Sequence, residues 1–394
     1  MRLPKGFRAS GTYAGVRRKP LPDVALFVAE KGANAAALFT KNLFQAAPVV
    51  LGKADLKASG GRVRAVVVNA GCANAVTGKA GMAAARRVRD AAARLLGVPR
   101  REVLVSSTGV IGVVLPDAKV RAALPEAQAR LSASGVEAAS RAILTTDVGP
   151  KVARATFTWK GRRGSVVGIA KGAGMIHPNM ATMLAFVMTD APATPACLKA
   201  VLTHAADRSF HAISVDGDTS TNDTLLLMAS GAMGGPPIAS VKDAAPLRAA
   251  VTAVCRKLAW LMVRDGEGAT RVLDVSITGA RSAEDAKAAA HAVATSPLVK
   301  TALNGGDPNW GRILAAVGRS GARFSAGKVS LRLGRLVLVD RGLPVAYREK
   351  DAAKVFARER VPVAVDLGAG KATAFKLASD LGHAYVSCNA DYRS

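Results

Sequence analysis

The sequence predicts a layered α/β fold with mixed β-sheets, and three observations support this. Half of the 394 residues are hydrophobic and 21% are charged, which is the composition of a globular chain. Short β-branched runs alternate with Ala-rich runs of helical period. Because the alternation lacks the regularity of a doubly wound fold, mixed sheets are expected. The length suits one large or two ordinary domains, and a composition dip at 279–284 suggests a boundary.

The first predicted elements are a strand at 63–69 and a helix over Gly78–Leu96. The strand is a nearly continuous apolar run, which is typical of a strand buried on both faces. In the helix, apolar residues recur every three or four positions, and Gly97 is typical of a helix C-terminus. The positions between them hold Arg86, Arg87, Arg89 and Arg94. We therefore expect this helix to present a solvated basic face.

The remaining elements follow from the same two periodicities. Strands at 153–159 and 164–169 flank a basic turn and are expected to pair, and Gly334 predicts a hairpin between 328–333 and 335–340. Further strands are expected at 103–106, 182–188, 271–277, 361–366, 372–377 and 384–388. Further helices are expected at 117–124, 136–144, 194–206 and 243–258, and from residue 283.

The formal net charge of +27 invites a nucleic-acid function, but its distribution argues against one. Nucleic-acid binding by charge favours basic residues that are concentrated on one face or in a tail. Here they are spread along the chain, with modest clusters at 17–19, 86–89 and 160–163. We therefore expect a basic enzyme surface and no nucleic-acid partner.

Several other classes are also excluded. No uncharged apolar run approaches the roughly 18 residues of a membrane helix, and no apolar stretch follows the basic N-terminus as in a signal peptide. The five histidines show no metal-ligand spacing, so no metal site is expected. The four cysteines are scattered and form no CxxC pair, which favours a reducing cytoplasm. They are Cys72, Cys197, Cys255 and Cys388.

The segment from Lys171 to Leu184, KGAGMIHPNMATML, carries the most specific chemical signal. Small residues lead to a Pro-Asn turn and then to an apolar strand that begins at Thr182. A threonine there can be a simple β-former. Alternatively, its hydroxyl can attack the preceding carbonyl, and hydrolysis then releases an N-terminal threonine. Its α-amine, with an unperturbed pKa of roughly 7.7–8.0, can act as the base for its own hydroxyl.

Two further segments have features of an acyl-transfer site. The segment 106–112, SSTGVIG, follows a predicted strand and offers a hydroxyl and unencumbered backbone N–H groups, which are the components of an oxyanion hole. The segment 69–74, NAGCAN, is a second candidate for a loop rich in donors. Taken alone, the first segment is better explained as an ordinary exit from a strand, and the second can be simply a turn.

Together these segments resemble the ornithine acetyltransferase family, also called glutamate N-acetyltransferase, which recycles acetyl groups in arginine biosynthesis. The 171–184 segment resembles its autoprocessing signature, and the 107–112 segment resembles its Ser-Thr-Gly-Val-Ile-Gly loop. Three more segments resemble the family: DGDTSTND at 216–223, NGGDPNWGR at 304–312 and NADYRS at 389–394. The five matches occur in family order over nearly the whole chain, which makes the resemblance specific.

The resemblance implies a role for individual residues. Thr182 would be the nucleophile, exposed by cleavage between Ala181 and Thr182 into an α-chain of 1–181 and a β-chain of 182–394. Thr108 and Gly109 would stabilise the oxyanion. The implied substrate ligands are Thr145, Lys171, Thr182, Glu267, Asn389 and Ser394. Thr146 carries the same hydroxyl as its neighbour Thr145 and fits that role by type equally well.

The resemblance also implies a fold, a reaction and an assembly. The fold would be an N-terminal-nucleophile-like sandwich with helices outside and a smaller C-terminal α/β domain. The reaction would be ping-pong transfer of acetyl from N2-acetylornithine to glutamate without a metal or prosthetic group. Because members differ in their use of acetyl-CoA, it is a candidate co-substrate. The assembly would be a cytoplasmic α2β2 heterotetramer without a membrane partner.

Three alternative functions remain. An N-terminal-nucleophile aminopeptidase or amidase of related architecture would also cleave itself. A nucleic-acid-binding protein would not, and a catalytically inactive homologue is disfavoured by the intact nucleophile and oxyanion segments. The chain also departs from the family in two respects. Its net charge is more positive than is typical of members, and it has Cys388 where an aliphatic residue is usual. We expect Cys388 to serve as a small buried hydrophobic residue.

Overall fold

The computed structural model describes residues 1–177 and 183–390, and the chain divides into two compact units. The first unit comprises Met1–His211 and Asp218–Met262, and the second comprises Ala212–Gly217 and Val263–Ser394. Both units combine helices with a mixed sheet, which confirms the predicted α/β class.

The first unit is built on a mixed sheet with the strand order β4-β3-β2-β9-β7-β6-β5, and β1 pairs with β2. The long strand β2 has a register shift between Val28 and Ala33. It pairs with β3 on both sides of this shift, as far as Asn34, and with β9 from Asn34 to Phe39. The strands are β1 (Phe7–Thr12), β2 (Val24–Phe39), β3 (Arg62–Cys72), β4 (Val103–Val110), β5 (Lys151–Trp159), β6 (Arg162–Lys171), β7 (Leu184–Thr189) and β9 (Thr224–Ala229).

Both faces of this sheet are covered, which explains its continuous apolar strands. In β3, Val66 and Val68 belong to one buried cluster, whereas Ala65 and Val67 belong to another that includes residues of the flanking helices. Successive side chains of a strand point to opposite faces, so such a strand is apolar throughout. The helices of this unit are α1 (Ala47–Ala58), α2 (Gly78–Leu96), α3 (Asp117–Ala129), α4 (Val136–Ala142), α5 (Pro195–Asp207) and α6 (Ala245–Arg264), which ends in the second unit.

Helix α2 matches its predicted bounds and ends at Gly97 in the left-handed conformation, with φ of 64°. Its basic face differs from the prediction at one position. The Arg89 side chain is 9% exposed and forms ion pairs with Asp55 and Asp90. A buried arginine needs such partners because an unpaired charge is costly in the interior.

The second unit has a mixed sheet with the strand order β13-β12-β11-β14-β10-β15-β8. The stretch 279–284, where composition suggests a domain boundary, covers the end of β10, a two-residue turn and the start of α7, all inside this unit. The strands are β8 (Ile213–Ser214), β10 (Val272–Ala280), β11 (Ser330–Leu333), β12 (Leu336–Asp340), β13 (Leu343–Pro344), β14 (Arg360–Asp366) and β15 (Ala372–Ser379). The helices are α7 (Ala283–Ala294), α8 (Pro297–Gly305), α9 (Trp310–Gly318), α10 (Glu349–Phe356) and α11 (His383–Ala390).

The strand prediction at 384–388 is wrong, because this segment lies in helix α11. The preceding strand β15 pairs with β10 along one edge, and on its other edge Leu377 and Ala378, near its end, already pair with β8. The helix instead satisfies its own backbone groups. The expectation of a buried Cys388 also fails, since the thiol is exposed on this helix.

Candidate active site

The parallel strands β3 and β4 bring the segments 69–74 and 106–112 side by side at their carboxyl ends. There the register shifts around Gly71 and Cys72, opposite Gly109. Gly109 has a φ of 132°, which only glycine adopts readily. This irregular end of the strand pair follows Thr108 and carries the backbone N–H groups that the sequence predicts as oxyanion donors.

If Gly109 donates to an oxyanion, we expect Gly109→Ala to disturb this pair and lower catalysis by roughly 100-fold or more, the usual cost of losing such a donor. A Cβ at Gly109 would lie 2.3 Å from the carbonyl carbon of Gly71. The backbone strain alone should also cost about 1–3 kcal/mol in the free energy of unfolding.

The matched control is Gly112→Ala in the same loop. Gly112 has a φ of 84° but a Cβ there would meet no atom within 4 Å. Steady-state kinetics and denaturant unfolding of both variants separate backbone strain from the clash with β3. Equal activity of the two variants would show that close packing at Gly109 is unimportant.

Buried amide side chains hold the irregular strand ends in place. Ser107 Oγ donates to Asn69 Oδ1 at 2.6 Å, and Asn69 Nδ2 donates to the Cys72 carbonyl at 2.9 Å. Asn222 Nδ2 donates to the carbonyls of Ala73 and Ser107 at 2.7 and 2.8 Å. The backbone around the candidate oxyanion donors is therefore fixed by groups from three segments.

Lys171, at the end of β6, connects two of the predicted site residues. Its Nζ donates to Thr145 Oγ1 at 2.7 Å and to Thr108 Oγ1 at 3.3 Å. A hydroxyl that accepts a bond from an ammonium can still donate its own proton, so Thr108 keeps a donor for a developing negative charge. Lys171 is 4% exposed, which strengthens its attraction for an anionic group. Within the described residues, a hydrogen bond to Lys171 is seen for Thr145 and none for Thr146.

A buried aspartate that the sequence analysis missed organises this cluster. Asp147 Oδ1 accepts from Lys151 Nζ at 2.7 Å and from the Gly172 amide at 2.6 Å, and Oδ2 accepts from the Thr145 amide at 3.0 Å. Lys171 Nζ lies 3.8 Å from Oδ2.

The ionisation of Asp147 follows from these contacts. Burial by itself raises the pKa of this carboxyl, but the charges of Lys171 and Lys151, together with the hydrogen bonds from Lys151 and Gly172, outweigh burial. They hold the pKa of Asp147 well below its usual range. The carboxylate is therefore charged and can position both Lys171 and the loop that carries Thr145.

The predicted nucleophile Thr182 and the cleavage partner Ala181 lie outside the described residues, as does Ser394. The next residue, Met183, is buried and anchored on the segment 222–224. Its amide donates to Asp223 Oδ1 at 3.0 Å, and its carbonyl accepts from the Thr224 amide at 3.0 Å. Burial raises the pKa of Asp223 well above its usual range, and the Met183 amide, the Ser220 hydroxyl and the Lys171 charge offset only part of this.

The two remaining predicted ligands lie together in the second unit. Asn389 Nδ2 donates to Glu267 Oε2 at 2.8 Å, so the structure pairs a residue before β10 with one in α11. In the first unit it brings together Thr108, Thr145 and Lys171. Asp147, Asp223 and Asn222 were not singled out individually, although the last two fall in the 216–223 family segment. Asp147 offered no signal beyond its position two residues after Thr145.

Within residues 1–177 and 183–390, no three His, Cys, Asp or Glu side chains are grouped as metal ligands. Over the same residues, no helix is both long and apolar enough to cross a bilayer.

Comparison with known proteins identifies clear relatives. The ArgJ family model matches residues 8–394. The arginine biosynthesis bifunctional protein ArgJ of Nitratidesulfovibrio vulgaris is 47% identical over 392 residues, which cover 99% of each chain. The crystal structure of arginine biosynthesis bifunctional protein ArgJ from Bacillus halodurans shares 36% identity with a TM-score of 0.51, and covers 52% of this chain and 97% of its own. Ornithine acetyltransferase from Mycobacterium tuberculosis, solved with ornithine, shares 33% identity over 46% of this chain and 94% of its own, with a TM-score of 0.39.

Proposed function

The chain belongs to the ArgJ family, and on that premise we propose that it transfers acetyl from N2-acetylornithine to glutamate through an acetyl-Thr182 ester. It is an acetyltransferase of arginine biosynthesis. The observation that carries the proposal is the buried contact of Lys171 Nζ with Thr108 Oγ1 and Thr145 Oγ1 beside the irregular end of β4. It provides a cation for a substrate carboxylate and a hydroxyl for an oxyanion in one cluster.

In the first half-reaction, Thr182 Oγ attacks the acetyl carbonyl of N2-acetylornithine, and the Thr182 α-amine accepts the hydroxyl proton. Thr108 and Gly109 donate hydrogen bonds to the tetrahedral oxyanion. The C–N bond then breaks, ornithine leaves with the proton, and the acetyl group remains on Thr182. In the second half-reaction, the glutamate amine attacks this ester, the bond between the acetyl carbon and Thr182 Oγ breaks, and Oγ recovers a proton from the amine as N-acetylglutamate leaves. The reaction uses no metal ion or prosthetic group.

The substrate ligands follow from the chemistry of each group. Lys171 is proposed to bind a substrate carboxylate with Thr145 beside it. Glu267 suits the side-chain ammonium of ornithine, and Asn389 and Ser394 are proposed as further ligands. Acetyl-CoA is a candidate second acetyl donor.

Cleavage between Ala181 and Thr182 would generate the nucleophile from a precursor. The Thr182 hydroxyl attacks the Ala181 carbonyl, and water hydrolyses the resulting ester. The size of the Bacillus halodurans chain supports this, since 97% of it covers only 52% of the present chain. We propose that the two products assemble as an α2β2 heterotetramer in the cytoplasm.

The proposed function is tested first by the intact mass of the purified protein under denaturing conditions. We expect two chains of 181 and 213 residues, the second beginning at Thr182. The products from N2-acetylornithine are then measured with and without glutamate. Glutamate-dependent N-acetylglutamate indicates the transferase, whereas amide hydrolysis alone indicates an aminopeptidase or amidase. A lasting single chain of 394 residues would rule out the cleavage mechanism.

A further inference from the structure

The second unit contains an almost buried lysine for which the described residues provide no acidic partner. Lys376 lies in β15 and is 6% exposed. It lies on the same face of the strand as Ala374 and Ala378, which pack on the apolar cluster of this unit. Its ammonium therefore lies at the margin of an apolar core. Within the described residues, its hydrogen bonding consists of a single contact with His291 Nδ1, at 3.4 Å.

Two more basic groups belong to this cluster: His291, which contacts the ammonium, and Arg319, which lies close to His291. His291 is in the last turn of α7, and Arg319 caps the C-terminus of α9. Arg319 Nη2 donates to the carbonyl of Ala292, which directly follows His291, at 3.4 Å. Partial burial first, and then the charges of Lys376 and Arg319, lower the pKa of His291. The imidazole is thus neutral near pH 7 and can accept from the lysine at Nδ1.

This arrangement leaves positive charge without compensation. A lysine ammonium has three donors, of which the described contacts use one. Burial lowers the pKa of Lys376 to about 8, so the amine remains mostly protonated at pH 7. By contrast, the buried Lys300 of the same unit donates to the carbonyls of Val215 and Ser379. An under-bonded buried cation normally has a partner, and an anion would supply it.

We propose that Lys376, His291 and Arg319 form a binding site for a phosphate group, either free or carried by a small ligand. A phosphate dianion matches the charges of one lysine and one arginine, and its several oxygens can accept from both and from the imidazole. The nearly buried lysine would form the base of the site, and the exposed His291 and Arg319 would form its rim. This inference does not depend on the proposed acetyl transfer.

The test measures binding of inorganic phosphate to the full-length protein by isothermal titration calorimetry and thermal unfolding, at constant ionic strength. We expect saturable binding that Lys376→Met weakens by about tenfold or more, since a charge-assisted bond is lost. Without phosphate, Lys376→Met should unfold at or above the wild-type temperature, because an unpaired buried charge has been removed. Lys287→Met is the matched control, because Lys287 is an exposed lysine of the same helix as His291.

The double variant His291→Ala/Arg319→Ala keeps the test valid if Lys376→Met fails to fold. Both side chains are exposed, so the fold should survive while phosphate affinity falls. Equal phosphate binding by the wild type and either site variant would overturn the proposal, as would the absence of phosphate binding to the wild type. The same titration is repeated with acetate. If acetate binds as tightly as phosphate, the site is not specific for phosphate and the proposal is contradicted.

Discussion

We expect the Thr182→Ala variant to remain a single chain of 394 residues and to lose acetyl transfer by a factor on the order of 10⁴ or more. The alanine has no hydroxyl to attack the Ala181 carbonyl, so neither the cleavage nor the acetyl ester can form. The remaining catalysis would come only from substrate binding and the oxyanion donors. Denaturing mass spectrometry measures cleavage, and N-acetylglutamate formation measures transfer.

Two variants make this result specific. Thr182→Ser keeps a hydroxyl and an α-amine, so it should still cleave and transfer at reduced rates. Thr203→Ala removes an exposed threonine of α5 and should behave as wild type. Acetyl transfer by the Thr182→Ala variant at a near wild-type rate would contradict the assignment of Thr182 as the nucleophile.

The second large effect is expected from Asp147→Asn. The change removes the carboxylate that Lys151 and Lys171 share. This carboxylate is fully buried, since the Asp147 side chain is 0% exposed. Breaking a buried ion pair by removing one partner typically costs about 3–5 kcal/mol in the free energy of unfolding. We also expect a higher KM for both substrates, because Lys171 and the Thr145 loop lose a common anchor. Denaturant unfolding and steady-state kinetics measure the two effects.

The matched control is Glu30→Gln, which breaks the ion pair of Arg8 and Glu30 at the surface. Both side chains are about half exposed, so the expected cost is at most about 1 kcal/mol. A similar small cost for Asp147→Asn, with unchanged KM, would show that the buried carboxylate neither stabilises the unit nor positions Lys171.

The pH dependence of stability provides a further check on Asp147. Its pKa is lower in the folded than in the unfolded chain, so its stabilising contribution is present above the unfolded pKa. This contribution is lost as the pH falls below about 4 toward the lower folded value. The stability difference between wild type and Asp147→Asn should therefore shrink in acid.

Most helices and strands could be predicted because their signals are local. The apolar period of α2 and the left-handed Gly97 at its end are both properties of adjacent residues. The helix α11 could not be predicted in this way. Whether 384–388 forms a strand depends on pairing with distant segments, and β10 and β8 already pair with the end of β15 that precedes it.

The residues of the candidate site also fall into two groups: those with a local sequence signal and those whose role depends on distant segments. Contiguous motifs identified Thr108, Gly109 and Lys171, and the family resemblance singled out Thr145. The role of Asp147 emerged only when folding placed it between Lys151 and Lys171. Asn222 gave no individual signal either, because its acceptors at Ala73 and Ser107 are more than 100 residues away in sequence.

The sequence alone therefore determined the α/β class, most elements and the family, because periodicity and contiguous motifs are written in neighbouring residues. Only the tertiary structure decided which carboxylates are buried, which lysines they neutralise and which buried lysine contacts a histidine. The charge state of a side chain depends on its solvation and on the charges packed around it. Those surroundings come from distant segments that meet only in the folded chain.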